Sequence, residues 1–188
     1  MKKIIILNGS PRKMGNTSFL VEELVKTIKE NEEEAETITL NNYKINPCQA
    51  CNWCIKNNAL SCVQKDDMNT FYPKLLESEL IVFAAPIYWF SYSAQLKLFV
   101  DRLYALHGKD GYALINKKIA FVLVYGDSNV ENSGVNNALG ALDDLAKYMK
   151  SEVIGIVHGT AYRLGDAEKS EKLISEIKDL GLKIVKSI

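Results

Sequence analysis

All four cysteines of the chain, Cys48, Cys51, Cys54 and Cys62, fall in one stretch, NPCQACNWCIKNNALSCVQKDDM, Asn46 to Met68. Their spacing is C-x2-C-x2-C-x7-C. Two-residue gaps let a short loop turn several thiolates toward a single centre. No side chain from Pro47 to Cys54 is charged, which suits a shielded redox site. A zinc ion is a second reading of the same thiolates, although three ligands in a C-x2-C-x2-C run crowd a tetrahedral ion more than two separated pairs do. A loop of reduced thiols that only packs is a third reading, and thiolate redox chemistry a fourth.

Two further stretches carry groups suited to a nucleotide. NGSPRKMGNTS, Asn8 to Ser18, follows an apolar run and leads into a helical pattern. Ser10, Thr17 and Ser18 hydroxyls, the Asn16 amide and the Arg12 guanidinium can all donate to phosphate oxygens. Backbone N–H groups at such a helix start favour an anion. The turn is neither a Walker loop, since Asn16 rather than Lys follows Gly15, nor a G-x-G-x-x-G fingerprint. The plainer alternative is a capped helix start with Asn16 or Thr17 as N-cap. APIYWFSYSAQLKLFVDR, Ala85 to Arg102, offers Pro86, Ile87, Tyr88, Trp89 and Phe90 as a flat apolar edge for a planar ring. Its alternative is core or subunit packing. His107 and His158 lack metal-ligand spacing and are expected in structural or surface roles.

Elements able to position these stretches alternate along the chain. Lys3–Asn8, Thr37–Leu40, Glu79–Pro86, Lys118–Tyr125 and Val153–Val157 are short, mostly continuous apolar runs, the pattern of strands buried on both faces. Between them lie helical repeats, such as Leu20, Val21, Leu24, Val25 and Ile28 on one face. Strands alternating with helices imply a parallel sheet covered on both sides. Ligands then bind beyond the carboxyl ends of the strands, where the strand order reverses. The loops after the first, third and fourth strands are the candidates.

A length of 188 residues suits one domain, 1–188, with a cysteine-rich loop at 46–66. Lys plus Arg balance Asp plus Glu at 23 each, which excludes the basic field that nucleic acid or an anionic membrane requires. The run Ile4 to Leu7 is too short for a signal peptide, and no run approaches the ~20 residues of a membrane span. A cytoplasmic protein is expected, with its thiols reduced or metal-bound.

The first two nucleotide-type stretches together resemble the flavodoxin-like NADPH-dependent FMN reductase family. The cysteine spacing resembles the compact motif of that family's iron-sulfur flavoprotein branch. The likeness is good from the first strand through the Gln95–Arg102 helix, and beyond that lies mainly in the element pattern. It implies an α/β, flavodoxin-like, doubly wound five-stranded parallel sheet with helices on both faces. It implies FMN at the strand ends, with its phosphate on Ser10, Arg12, Asn16, Thr17 and Ser18. The isoalloxazine would lie against Pro86, Ile87, Tyr88, Trp89 and Phe90. The third loop, Tyr125 to Gly134, would close over the flavin at Gly126 and Asp127; a polar surface turn is its alternative. For Cys48, Cys51, Cys54 and Cys62 the branch implies a [4Fe–4S] cluster beside FMN. The implied activity passes hydride from NAD(P)H to bound FMN and on to a quinone, flavin, nitro or azo compound, or protein acceptor. The implied assembly is a homodimer or larger homo-oligomer. Rival expectations are an iron-sulfur flavoprotein electron carrier without NAD(P)H turnover, and a metal-dependent interaction module built on the cysteine loop. A flavodoxin-type carrier would be strongly acidic, so the neutral chain favours the reductase.

Overall fold

The computed structural model describes residues 4–188, so Lys3, expected to open the first strand, lies outside the described residues. Along the chain run β1 (Ile4–Asn8), α1 (Asn16–Glu30), β2 (Ala35–Thr39), α2 (Trp53–Asn57), α3 (Phe71–Glu77), β3 (Leu80–Tyr88) and β4 (Ser91–Tyr92). Then come α4 (Ala94–Arg102), β5 (His107–Gly108), β6 (Gly111–Tyr112), β7 (Lys118–Tyr125), α5 (Val135–Tyr148), β8 (Glu152–Thr160) and α6 (Glu171–Ser187). Five parallel strands stand in the order β2-β1-β3-β7-β8, with β4 folded back antiparallel on the end of β3. This is the flavodoxin-like order, and the expected fold class is the observed one.

Alternation along the central strands builds the two layers. Ile4 and Ile6 of β1 point to one face and join Leu20, Leu24, Ile177 and Ile184 of α1 and α6. Ile5 and Leu7 point to the other and join Phe71, Phe99, Leu142 and the cysteine segment through Cys54. Leu24 is fully buried beside α6, so Leu24→Ala costs about 2–5 kcal/mol. A Cβ on Gly181 of α6 would fall 2.7 Å from Thr27 Cγ2. The absence of that atom lets the two helices touch.

The sequence departs from the structure at the sheet edges and in the small elements. The strand expected at Val153–Val157 to be buried on both faces is the half-open edge strand β8, with Ile156 48% exposed. Continuous apolar character there reflects one covered face plus β-branched propensity. The β3–β4 and β5–β6 hairpins and the short helix α2 carry no period long enough to read. Among the described residues no helix is long and apolar enough to cross a membrane.

Candidate functional site: a crevice and a four-cysteine cavity

The turn after β1 is held by side chains that double as structure. Asn8 Nδ2 donates to Ser18 Oγ at 3.1 Å, and Ser18 Oγ donates to the Arg12 carbonyl at 2.9 Å. Ser10 Oγ lies 3.2 Å from both the amide and the carbonyl oxygen of Arg12. The turn leads into α1 with Gly15 as N-cap and no side-chain cap. Neither Asn16 nor Thr17 caps the helix, as the plainer reading expected; both lie inside it. The first-turn N–H groups are left for another acceptor. A Cβ on Gly15 would meet Arg12 Cβ at 3.0 Å and Ser10 Oγ at 3.2 Å, so the tight turn needs glycine. Thr17 is 2% exposed, and its hydroxyl has no hydrogen-bond partner among the described residues.

These groups line a crevice of about 200 Å³ at the carboxyl edge of the sheet. Ser10, Arg12, Asn16 and Thr17 come from the first loop, Pro86, Ile87 and Tyr88 from the end of β3, and Gly126 from the loop after β7. Ser18 is turned inward to brace the turn. Asp127 stands off the crevice wall; its Oδ1 accepts from the Asn129 N–H at 2.8 Å, and its carbonyl accepts from Thr160 Oγ1 at 2.8 Å. Trp89 and Phe90 also stand off the wall and form the two-residue tip of the β3–β4 hairpin. Both have positive φ, 46° and 67°, as a type I′ turn requires. Such backbone costs a non-glycine residue about 1–2 kcal/mol. Trp89 is nonetheless 93% exposed.

Sequence reasoning missed Gly15, Val124, Tyr125, Ala161 and Tyr162, which complete the crevice. The last two belong to TAYRLGD, the loop after β8, and the carboxyl-edge rule applied to that strand would have found them. The Asn16 amide, expected to face phosphate, instead donates to the carbonyls of Ala161 (3.0 Å) and Arg163 (2.9 Å) and accepts from the Ala167 N–H (3.2 Å). A Cβ on Gly126 would fall 2.7 Å from Tyr162 Cδ2, so that ring lies directly over the glycine. A larger open groove of about 930 Å³ lies between α1 and the edge strand β2. Its lining mixes Met14, Val21 and Val25 with polar Asn8, Ser18, Thr37, Thr39 and Asn42 and a Lys and Glu rim. The crevice lies between the ends of β1 and β3, where the strand order reverses, and is the better candidate.

The four cysteines line a second cavity, of about 20 Å³. All four are free; Cys48 and Cys51 are exposed, Cys62 half-buried and Cys54 buried. Left-handed residues Ala50 (φ 50°) and Asn52 (φ 57°) reverse the chain between them. Asn69 fixes Cys62, accepting from its N–H and donating to its carbonyl, both at 3.1 Å. Burial pushes the Cys54 thiol up. Among the described residues no three His, Cys, Asp or Glu gather as ligands of one metal ion. A pre-formed zinc site is therefore lacking. A polynuclear iron-sulfur group takes one thiolate per iron and needs less convergence. Its fit is supported by Arg102, which lines the same cavity and whose buried Nε has no partner. A cavity of about 20 Å³ admits about one water, so a larger group requires the exposed Cys48–Cys51 turn to move outward.

A doubly wound sheet with a donor-rich turn, a free helix start and an aromatic rim at its carboxyl edge defines a nucleotide-binding α/β protein. The chain belongs to the NADPH-dependent FMN reductase family, whose model matches residues 2–156. It is an NAD(P)H-dependent FMN oxidoreductase, as the resemblance implied. An iron-sulfur flavoprotein of Methanocaldococcus jannaschii is 29% identical over 99% of this chain and 97% of its own length. A Bacillus subtilis protein, named provisionally an NAD(P)H-dependent FMN-containing oxidoreductase, is 30% identical over 92% of this chain and 93% of its own. The FMN-dependent NADH-azoreductase of Bacillus anthracis shares the fold, with a TM-score of 0.74 at 14% identity, covering 98% of this chain and all of that one.

Proposed function

We propose that the crevice holds FMN and that the electrons of NAD(P)H leave it for a small planar acceptor of the quinone or azo class. The observation that carries this reading is Thr17, which lines the crevice with no side-chain hydrogen bond at an uncapped helix start. Ser10, Thr17 and the first-turn N–H groups would take the phosphate, with Arg12 at the rim. When bound, FMN supplies the redox chemistry, accepting hydride from nicotinamide and returning electrons to the acceptor. The protein's share is position and stacking. Tyr88 and Tyr162, 40% and 74% exposed, flank the mouth and offer flat surfaces to rings extending from it. The azoreductase with the same fold favours a planar acceptor.

Apo protein titrated with FMN tests this. A charged hydrogen bond of about 1.5–3 kcal/mol means Thr17→Ala weakens FMN binding about 10- to 100-fold. Rapid anaerobic mixing with NADPH and NADH then tests turnover, and flavin absorbance untouched by either removes the reductase reading. A second reading adds an iron-sulfur group on Cys48, Cys51, Cys54 and Cys62 as an exit for single electrons toward a protein partner. The four cysteines around one cavity favour it, as does the name of the Methanocaldococcus relative. Iron and sulfide assay of anaerobically purified protein decides. Light scattering would test the accompanying homo-oligomer, which the 93% exposed Trp89 favours.

A further inference from the structure

Arg102 ends α4, and its side chain is 1% exposed. Nη1 donates to Asp66 Oδ2 at 2.6 Å and to the Asn46 carbonyl at 2.8 Å, and Nη2 donates to Asp66 Oδ1 at 3.0 Å. Asp66, whose side chain is 0% exposed, also accepts from the N–H groups of Asn46 (2.9 Å) and Met68 (3.3 Å). Every nitrogen of the guanidinium except Nε has a partner, and Nε is buried. A buried donor left unpaired is costly, and more so on a cation. The rest of this ion pair is so fully satisfied that poor packing does not account for the gap.

Arg102 lines the cavity of Cys48, Cys51, Cys54 and Cys62, and Cys62 lies close enough to act electrostatically on its guanidinium. Neutral thiols are weak acceptors. Thiolates bound to metal carry the negative charge that an N–H group seeks, and hydrogen bonds to cluster sulfurs help set the reduction potential. The cavity thus pairs a donor lacking an acceptor with four sulfurs that become strong acceptors once they bind metal.

We propose that Arg102 is a positioning residue for the cysteine site, its Nε–H donating to a sulfur of an iron-sulfur group held by the four cysteines, with Asp66 locking the guanidinium in place. The inference rests on the iron-sulfur reading above. Asp66 prevents the arginine from swinging to solvent and leaves one N–H for the sulfur. Lysine in this place would keep the charge without the fixed fork.

The test uses FMN-loaded protein reconstituted anaerobically with ferrous iron and sulfide. Arg102→Lys is compared with wild type, alongside the double variant Arg102→Met with Asp66→Asn, which leaves no unpaired buried charge if the single variant misfolds. Circular dichroism verifies folding. Loss of the Nε–H donor is expected to make the group at least tenfold harder to reduce, about 59 mV lower for a one-electron couple. It is also expected to shorten the group's lifetime against a chelator at least tenfold. In wild type labelled with 15N-arginine, the Nε–H signal absent from Arg102→Lys should show a paramagnetic shift on loading, while those of Arg12 and Arg163 do not. Wild type that takes no iron and sulfide onto the cysteines overturns the iron-sulfur reading and this inference with it. Wild type that loads normally, with variants of unchanged potential and lifetime and no shifted arginine signal, overturns the role of Arg102 alone.

Discussion

Asn16 Nδ2 donates to the Ala161 carbonyl oxygen at 3.0 Å, joining the start of α1 to the loop after β8, 145 residues further along the chain. The same amide reaches Arg163 and Ala167, so one side chain sets how two walls of the crevice meet. Asn16→Ala removes all three bonds. With some of them solvent-exposed, the loss is about 1–2 kcal/mol, or roughly 2–8 °C in Tm for a chain of this size. FMN affinity should fall about tenfold in the same variant, read by fluorescence titration, because the loop that carries Tyr162 loses its tie to α1, while the Tyr162 N–H keeps its bond to Asp166.

The strained tip of the β3–β4 hairpin predicts an opposite pairing of effects. Replacing Trp89-Phe90 with Asn-Gly supplies residues that favour a type I′ turn. Stability should rise by about 1–2 kcal/mol, visible in denaturant titration. Acceptor turnover should fall, since strain kept in a native turn is commonly tied to function. A variant that gains stability and keeps full turnover with every acceptor would assign the exposed ring to subunit contact alone.

Gly126 separates crevice geometry from stability. In Gly126→Ala the three atoms nearest the new Cβ all belong to the Tyr162 ring, the closest at 2.7 Å, and Tyr162 is 74% exposed, with room to move toward solvent. Unfolding free energy should change by less than about 0.5 kcal/mol, as for an ordinary surface substitution. KM for the planar acceptor should rise several-fold as the ring leaves the mouth. Steady-state kinetics beside a melting curve checks both.

The Arg102–Asp66 pair predicts an acid limb in stability. Burial alone would raise the Asp66 carboxyl, but the Arg102 hydrogen bonds and the Asn46 and Met68 N–H groups outweigh it and hold it below the ordinary value. A carboxyl depressed in the folded state binds protons more readily when unfolded. Its stabilisation is complete above the unfolded value, about 3.9, and is lost as pH falls through the folded one. Chemical denaturation from pH 6 to pH 2 should show this limb in wild type. It should be shallower in the double variant Arg102→Met with Asp66→Asn.

The central strands and the first loop were legible because their signals are local. Buried strands read as apolar runs, and a hydroxyl-rich turn after a strand reads as an anion cradle. Aromatic residues after β3 read as a platform, yet only Pro86, Ile87 and Tyr88 line the crevice. A two-residue turn sends the next two residues away, and Trp-Phe gives no turn signal of its own. Asn16 to Ala161 and Arg102 to Asp66 were illegible because each pairing closes over a long loop that no window spans. Cysteine spacing announced a shared centre, but the cation beside it comes from the end of α4, in another part of the chain.

At its start, α4 is fastened to the crevice: Ser93 Oγ donates to the Gly9 carbonyl at 2.7 Å. Its far end delivers Arg102 to the cysteines. Nine steps at ~1.5 Å make this a rod of roughly 14 Å. The interval between the two chambers is thus gauged by one rigid spacer, as on a ruler. Lengthening it by a single residue would turn Arg102 about 100° away from the cysteines while Ser93 keeps its hold on the first loop.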